Sequence, residues 1–268
     1  DGLSNLDTAA TFHPAYTAMV LIGLGLALAF PITKDIASAD RRHYYSIQAF
    51  TLVGALLGAK IAVLMGDALW PLEHFDDWPV LLLSGRSIIG ALVFGFVCAE
   101  IAKPIMRYRL PPNDRFAVVL PFSSAIGRIG CYFAGCCRGL PHEGPLSFIY
   151  EDGVSRHPIA LYEFCFHTLA GIALYVLYRK RWLRWRLFSV FLAGYGLFRF
   201  STEYLRVTDK AFAGLSAYQW FALAAIVLGV VTFLVRSRQD NHHLRPTDFQ
   251  DSSGPTTLII AAENESKS

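Results

Sequence analysis

The segment GRIGCYFAGCCRG, residues 127–139, places an arginine and three cysteines at the end of an apolar run. A guanidinium group binds two phosphate or carboxylate oxygens at once, and an arginine inside a membrane segment is usually functional. Closely spaced thiols can form a disulfide, bind a metal or act as nucleophiles. The segment therefore predicts anion binding by Arg128 and a separate chemistry for Cys131, Cys136 and Cys137.

A second arginine lies in a regularly patterned segment further along the chain. Tyr195, Arg199 and Glu203 recur at every fourth position, and Arg206 follows three residues after Glu203. This spacing predicts one shared helical face, on which Glu203 can form a charge-assisted hydrogen bond with Arg199 or Arg206. Arg128 and Arg199, on different helices, could together bind the phosphate of an anionic phospholipid whose acyl chains remain in the bilayer.

The elements that position these residues are predicted to be transmembrane helices. Hydrophobic residues make up 54% of the 268 residues, charged residues make up 17%, and the mean hydropathy is +0.39. Soluble domains carry about 25% charged residues, and about 20 apolar residues suffice to cross a bilayer. The sequence thus predicts an all-α, polytopic membrane protein with lipid rather than nucleic acid as partner. The predicted spans lie at about residues 15–31, 46–66, 86–103, 115–135, 159–178, 186–205 and 216–235.

The connections between these spans differ in charge. One alternate set carries fifteen lysines and arginines, and the other set carries five. The positive-inside rule then predicts that the N-terminus lies outside and the C-terminus lies in the cytoplasm. Residues 1–236 are predicted to form one seven-helix membrane domain, and the polar residues 237–268 a disordered cytoplasmic tail.

This orientation brings most of the ionisable residues within the spans to one depth, near the outer leaflet. Several different spans supply them, whereas random placement would scatter them through the bilayer. A substrate site and a structural network of ion pairs between helices both remain open as explanations. Arg128, Arg199, Glu163 and Glu203 lie within the spans at this depth, and the residues at or beside the span ends there are Arg86, His157, Tyr16 and Tyr162.

Three motifs in order along the chain resemble those of the prolipoprotein diacylglyceryl transferases. They are GRIG at 127–130, HPIALYE at 157–163 and GYGLFRFSTEYLR at 194–206, and the similarity covers roughly residues 13–236. The resemblance implies transfer of the diacylglyceryl group of phosphatidylglycerol to the lipobox cysteine thiol of a prolipoprotein, or to a related acceptor. It further implies the outer face of the bacterial plasma (inner) membrane as the place of reaction, and no cofactor or metal.

The resemblance also implies roles for individual residues. Arg128 and Arg199 match the arginines expected to hold the lipid phosphate, and Tyr195 and Glu203 match the remainder of that signature as catalytic residues. Further positions match substrate-binding residues of the family, and these are Tyr16, Gly139, His157, Tyr162 and Glu163. Arg86 and Arg206 are also predicted to bind substrate, because of their positions near the outer face.

Three positions depart from the family pattern. The third span of the family typically begins with a Ser-Phe-His-Gly-Gly stretch whose histidine is a candidate base, whereas SIIGA at 87–91 places Ile89 there. Cys131 stands where the family has an asparagine, and Cys136 stands where it has a glutamate. The resemblance therefore implies a lipid site of the usual kind with a changed acceptor side.

The three clustered cysteines leave several interpretations open. A Cys131–Cys136 or Cys131–Cys137 disulfide would suit an oxidising compartment. A thiol beside Arg128 would have a lowered pKa and could relay a group or exchange disulfides, as in a membrane thiol-redox protein. A metal site is a further alternative, but the spacing of the cysteines is not a recognised zinc pattern. A transporter is disfavoured because the buried charges do not extend through the full depth of the bilayer.

Overall fold

The computed structural model describes residues 14–29, 41–68, 87–107, 114–210 and 212–243. Seven α-helices lie within these ranges. They are α1 (Pro14–Ala29), α2 (Arg41–Val63), α3 (Ile88–Ile105), α4 (Asp114–Phe133), α5 (Ile159–Arg179), α6 (Leu187–Thr202) and α7 (Ala217–His243). A π-helical turn, Leu64–Ala68, extends α2, and a 3₁₀ turn, Glu203–Leu205, extends α6. Each predicted span coincides with one of these helices.

Five of the helices, α2, α3, α4, α5 and α7, are long and apolar enough to cross a membrane. The other two, α1 and α6, have 16 residues each. A helix satisfies every backbone hydrogen bond within its own segment, which is why long apolar runs fold this way in lipid. The predicted class, a mostly helical multi-pass membrane protein, is confirmed.

The connection between α4 and α5 differs from the all-α prediction, because it contains a small antiparallel sheet. Its strands are β1 (Arg138–Pro141), β2 (Phe148–Ile149) and β3 (Ser155–Pro158), in the order β1-β3-β2. Leu146 and Ile149, at and beside β2, expose about two thirds of their surface, 67% and 68%. Strands of two to four residues are too short to show the alternation by which a strand is recognised in a sequence.

The end of α7 also differs from the prediction. The helix continues through His243, whereas the polar tail was expected to begin at residue 237. Polar residues are compatible with the exposed surface of a helix that the preceding apolar turns have already nucleated. The remainder of the predicted tail, residues 244–268, lies outside the described residues.

Glycines allow close contact between α2 and α3. A Cβ atom at Gly58 would lie 2.5 Å from the Gly90 carbonyl oxygen, and one at Gly90 would lie 2.3 Å from the Gly58 oxygen. Small residues at such crossings let two helix backbones approach within a membrane. Ile89, beside this contact, is buried in the same apolar cluster as Leu192 and Tyr195.

Ion pairs join the helices at the end of the bundle away from the sheet. Glu100 pairs with Lys103 at 2.6 Å and with Arg236 at 2.7 Å, which ties α3 to α7. The Asp114 carboxylate accepts hydrogen bonds from the Trp185 and Leu187 backbone amides, which anchors the start of α6 to α4. These contacts have a structural role and leave the opposite end as the candidate site.

Candidate active site

Glu163 links two arginines at the end of the bundle that carries the sheet. It lies near the start of α5 and is fully buried. Its carboxylate forms an ion pair with Nε of Arg128 on α4, and Arg206 Nη2 donates a hydrogen bond to Oε1 at 2.6 Å. One carboxylate therefore holds guanidinium groups from two different parts of the chain.

A second buried ion pair lies on α6, where Arg199 pairs with Glu203 one turn later. The Ser216 hydroxyl donates a hydrogen bond to Glu203 Oε1 at 3.0 Å, and the Arg199 guanidinium lies 5.3 Å from the centre of the Tyr218 ring. Arg199 also interacts electrostatically with Glu163. The two ion pairs thus form one group, the arginine cluster, which consists of Arg128, Arg199, Arg206, Glu163 and Glu203.

Arg206 does not share the helical face of Arg199, contrary to the sequence prediction. The α-helix ends at Thr202, and the 3₁₀ turn Glu203–Leu205 leads into extended backbone at Arg206. Tighter winding changes the direction in which later side chains point. Glu203 therefore pairs with Arg199, while Arg206 reaches Glu163 instead.

The arginine cluster is almost entirely removed from solvent. Arg128 is 8% exposed, Arg199 is 6% exposed, and neither glutamate is exposed. Buried charges require partners, and each arginine of the cluster has one in these ion pairs. The ion pairs therefore agree with the interpretation of the cluster as a structural network between helices. Each guanidinium has five N–H donors, more than Arg128 and Arg199 engage in contacts with the other described residues. Such N–H donors are the groups that an anion would require.

Gly139 ends the segment GRIGCYFAGCCRG, residues 127–139, at a place where no side chain fits. It forms an isolated β-bridge with Arg206. A Cβ atom there would lie 2.7 Å from both Cβ and the carbonyl oxygen of His157, and 3.0 Å from the Leu205 carbonyl oxygen. Only glycine lets β1 lie between β3 and the turn that carries Arg206.

We expect Gly139→Ala to destabilise the protein by about 1–3 kcal/mol, because backbone atoms must move to admit the methyl group. Gly127→Ala is the matched control in the same segment, 127–139, since a Cβ atom at Gly127 meets no atom within 4 Å. It should be neutral or slightly stabilising, as expected for a glycine replaced inside a helix. Thermal unfolding in detergent compares the two variants, and an equal loss of stability would contradict the steric explanation.

The three cysteine thiols lie beside Arg128. Their Sγ atoms are all within 4.8 Å of one another, and none of them is in a disulfide. Arg128 Nη1 donates to Cys137 Sγ at 3.4 Å and to Cys131 Sγ at 3.8 Å. Hydrogen bonds with the Cys131 and Cys136 thiols, together with the Arg128 and Arg206 charges, hold the pKa of Cys137 well below its usual range. The structure shows the three thiols free and close together, and the disulfide, the reactive thiol and the metal site all stay open as interpretations.

His157 and Tyr162 connect the start of α5 to the sheet. His157 Nδ1 lies 3.1 Å from the Tyr162 hydroxyl, which donates to the Leu146 carbonyl oxygen at 3.3 Å. The His157 ring stacks on His142 with 4.0 Å between centroids. Burial and then the neighbouring His142 lower the pKa of His157, which favours the neutral imidazole. These two predicted binding residues make loop contacts, whereas the adjacent Glu163 enters the arginine cluster.

Two predicted residues cannot be placed in the site. Arg86 lies outside the described residues. Tyr16 belongs to α1, but its side chain is not among those described.

His167 is a buried polar residue that the sequence analysis missed. It follows Glu163 by one turn of α5, is fully buried, and lies 4.8 Å from the Tyr195 ring between centroids. Neither His167 nitrogen nor the Tyr195 hydroxyl has a hydrogen-bond partner among the described residues. Buried polar groups are normally paired, so these three atoms make the position beside the arginine cluster a candidate for contact with a ligand. The four-residue spacing from Glu163 was the signal that could have identified His167.

Comparisons with known proteins identify the family of the chain. The family model described as prolipoprotein diacylglyceryl transferase matches residues 12–235. The phosphatidylglycerol–prolipoprotein diacylglyceryl transferase of Cupriavidus metallidurans is 32% identical over 206 residues, covering 72% of this chain and 75% of its own length. Those of Clostridium tetani and Bordetella parapertussis are 27% and 29% identical, covering 81% and 83% of this chain and 91% and 90% of their own lengths. The chain therefore belongs to the prolipoprotein diacylglyceryl transferase family, as its three motifs predicted.

Proposed function

We propose that this protein transfers the diacylglyceryl group of phosphatidylglycerol to the lipobox cysteine of a prolipoprotein, the substrates that the names of its relatives give. The observation that carries the proposal is the convergence of Arg128 and Arg199, from two helices, at one buried end of the bundle. A phosphodiester headgroup fits two guanidinium groups, and its acyl chains would lie between the helices and the lipid.

The arginine cluster would act on the leaving group. The acceptor sulfur attacks the glyceryl carbon, the bond from that carbon to the phosphate oxygen breaks, and glycerol phosphate leaves with the electron pair. Arg128 and Arg199 would stabilise the negative charge that develops on the phosphate oxygens. Glu163 and Glu203 would hold both guanidinium groups in place, so that they need not reorganise during the reaction.

The acceptor thiol must also lose its proton. Ile89 replaces the histidine expected from the family pattern and lies in the apolar core, so another group has to act as base. We assign this role to His167, whose buried nitrogens are unpaired among the described residues and which interacts electrostatically with Glu163. The Tyr195 hydroxyl, beside the His167 ring, would donate a hydrogen bond to the bound lipid.

His167→Phe should lower the rate of transfer by about 10²–10⁴-fold, the usual contribution of a general base. Stability should change little, because the aromatic ring is kept and no described hydrogen bond is lost. Cys165→Ala, an exposed position on the same helix, is the control and should transfer normally. An unchanged rate in His167→Phe would show that another group removes the proton from the acceptor thiol.

The setting of the reaction forms part of the proposal. All seven helices would span the bacterial inner membrane, with the N-terminus outside and the C-terminus in the cytoplasm. The uneven distribution of lysine and arginine between alternate connections supports this orientation. The sheet and the arginine cluster would then face outward, with residues 1–236 as the membrane domain and residues beyond it as a cytoplasmic tail.

Complementation tests the proposed function. Cells depleted of their own diacylglyceryl transferase would express this chain together with a reporter prolipoprotein, whose mass is then measured. We expect the mass to increase by one diacylglyceryl group. An unmodified reporter, with phosphatidylglycerol still consumed by the purified protein, would remove the acceptor assignment. Absence of both reactions would overturn the proposed function.

The closely spaced thiols favour a membrane thiol-redox protein as the second candidate function. Under that alternative, alkylation of Cys131, Cys136 and Cys137 would remove activity and replacement of Arg199 would not. Phosphatidylglycerol turnover by the purified protein, measured after alkylation and in Arg199→Ala, separates the two functions. Loss of turnover in Arg199→Ala alone supports lipid transfer, and loss after alkylation alone supports the thiol-redox protein.

A further inference from the structure

The lipid-transfer chemistry leaves the three cysteines without a role. We propose that Cys131, Cys136 and Cys137 form a binding site for one soft metal ion of the copper(I) type, coordinated by three sulfur atoms. The site is independent of the proposed lipid transfer, although it lies beside Arg128.

The distances between the sulfur atoms fit such an ion. Metal–sulfur bonds of about 2.3 Å require neighbouring sulfurs to be about 4 Å apart in a trigonal site. The three Sγ atoms already lie within 4.8 Å of one another. Rotations of the side chains that move the Sγ atoms by less than about 1 Å would therefore close the site around an ion.

The backbone between α4 and β1 gathers these sulfurs. Cys131 lies in the last turn of α4, and the Cys136 amide donates a hydrogen bond to the Cys131 carbonyl oxygen at 3.2 Å. Gly135 and Cys137 both have positive φ angles, 64° and 61°. The left-handed conformation is unfavourable for a cysteine, and such strain is typical of functional sites. It turns the two adjacent thiols back toward Cys131.

The surroundings also suit thiolate ligands. Arg128 donates N–H groups to two of the three sulfurs, and such outer-shell hydrogen bonds orient metal ligands. Binding of the ion would displace the thiol protons and leave negatively charged thiolates. The positive charge of Arg128 would offset part of this negative charge. Among the described residues, the group consists of three cysteines, so each of its ligand atoms is a sulfur. Sulfur ligands select soft ions, and three of them suit copper(I) better than zinc, which takes four ligands.

Copper(I) is the probe that tests the site. The purified, reduced protein would be titrated without oxygen against a copper(I)-binding dye, and the sulfur neighbours of the bound ion counted by X-ray absorption. The double variant Cys98→Ser/Cys165→Ser is the control, since both residues lie on transmembrane helices outside the cluster. We expect it to bind one copper(I) per chain through three sulfurs.

Replacing any one of Cys131, Cys136 or Cys137 by serine should lower the affinity by more than about 100-fold, since outer-shell changes alone cost about 10–100-fold. Copper should also protect the three thiols of the unsubstituted protein from alkylation without changing the alkylation of Cys98 and Cys165, which avoids variants that fold poorly. Equal binding by control and cluster variants, or no protection, would overturn the proposal. Arg199→Ala should keep its copper and lose lipid transfer, so failure of one proposal is distinguishable from failure of the other.

Discussion

Arg128→Ala should abolish phosphatidylglycerol turnover, with a loss of at least about 10³-fold. The reason is that this guanidinium group would stabilise the charge of the departing phosphate in a buried site, where arginine contributions reach about 10³–10⁵-fold. Arg199→Ala should have an effect of the same order, because it would supply the other half of the phosphate site. Release of glycerol phosphate from labelled lipid in detergent is the measurement.

Two further variants make this result specific. Arg128→Lys keeps the charge but loses the paired donors, so it should remain strongly impaired. Lys103→Ala breaks an ion pair at the opposite end of the bundle and should transfer normally. An equal loss of activity in Lys103→Ala would point to general misfolding, and normal turnover by Arg128→Ala would contradict the proposed phosphate site.

Glu163→Ala should be the most destabilising single substitution in the site, by about 3–5 kcal/mol. It removes the carboxylate that pairs with both Arg128 and Arg206, and it leaves the buried Arg128 and the half-buried Arg206 uncompensated. The thermal unfolding of the variant and the parent, in the same detergent, measures the difference.

Asp152→Ala provides the matched control for that prediction. Asp152 also pairs with two arginines, Arg138 and Arg156, but at the exposed surface of the sheet. Water screens exposed ion pairs, so little change in stability is expected. Similar changes in thermal unfolding of Glu163→Ala and Asp152→Ala would show that burial does not determine how much Glu163 contributes to stability.

The helices and one ion pair could be predicted from the sequence, for clear physical reasons. A bilayer requires continuous apolar helices, so hydropathy locates them without reference to tertiary contacts. The pairing of Arg199 on α6 with Glu203, the residue that follows α6, results from their four-residue spacing, a local relation. The three motifs also indicated the family correctly.

Contacts that depend on changes of backbone direction could not be predicted in the same way. The position of Arg206 is set by a 3₁₀ turn after α6, and the gathering of the thiols is set by positive φ angles at Gly135 and Cys137. Neither follows from helical periodicity. The pairing of Glu163 with Arg128 joins two helices whose relative rotation is decided by packing along their whole length.

The exposed rim of the small sheet has a consequence for where the protein sits in the membrane. Leu146 and Ile149 would lie at the outer boundary of the bilayer in the proposed orientation, where apolar side chains partition among lipid headgroups. The sheet would then fix the depth at which α4 and α5 lie in the bilayer. Lipid phosphates and the Arg128 guanidinium would thereby be held at the same level, so a headgroup could enter by lateral diffusion alone.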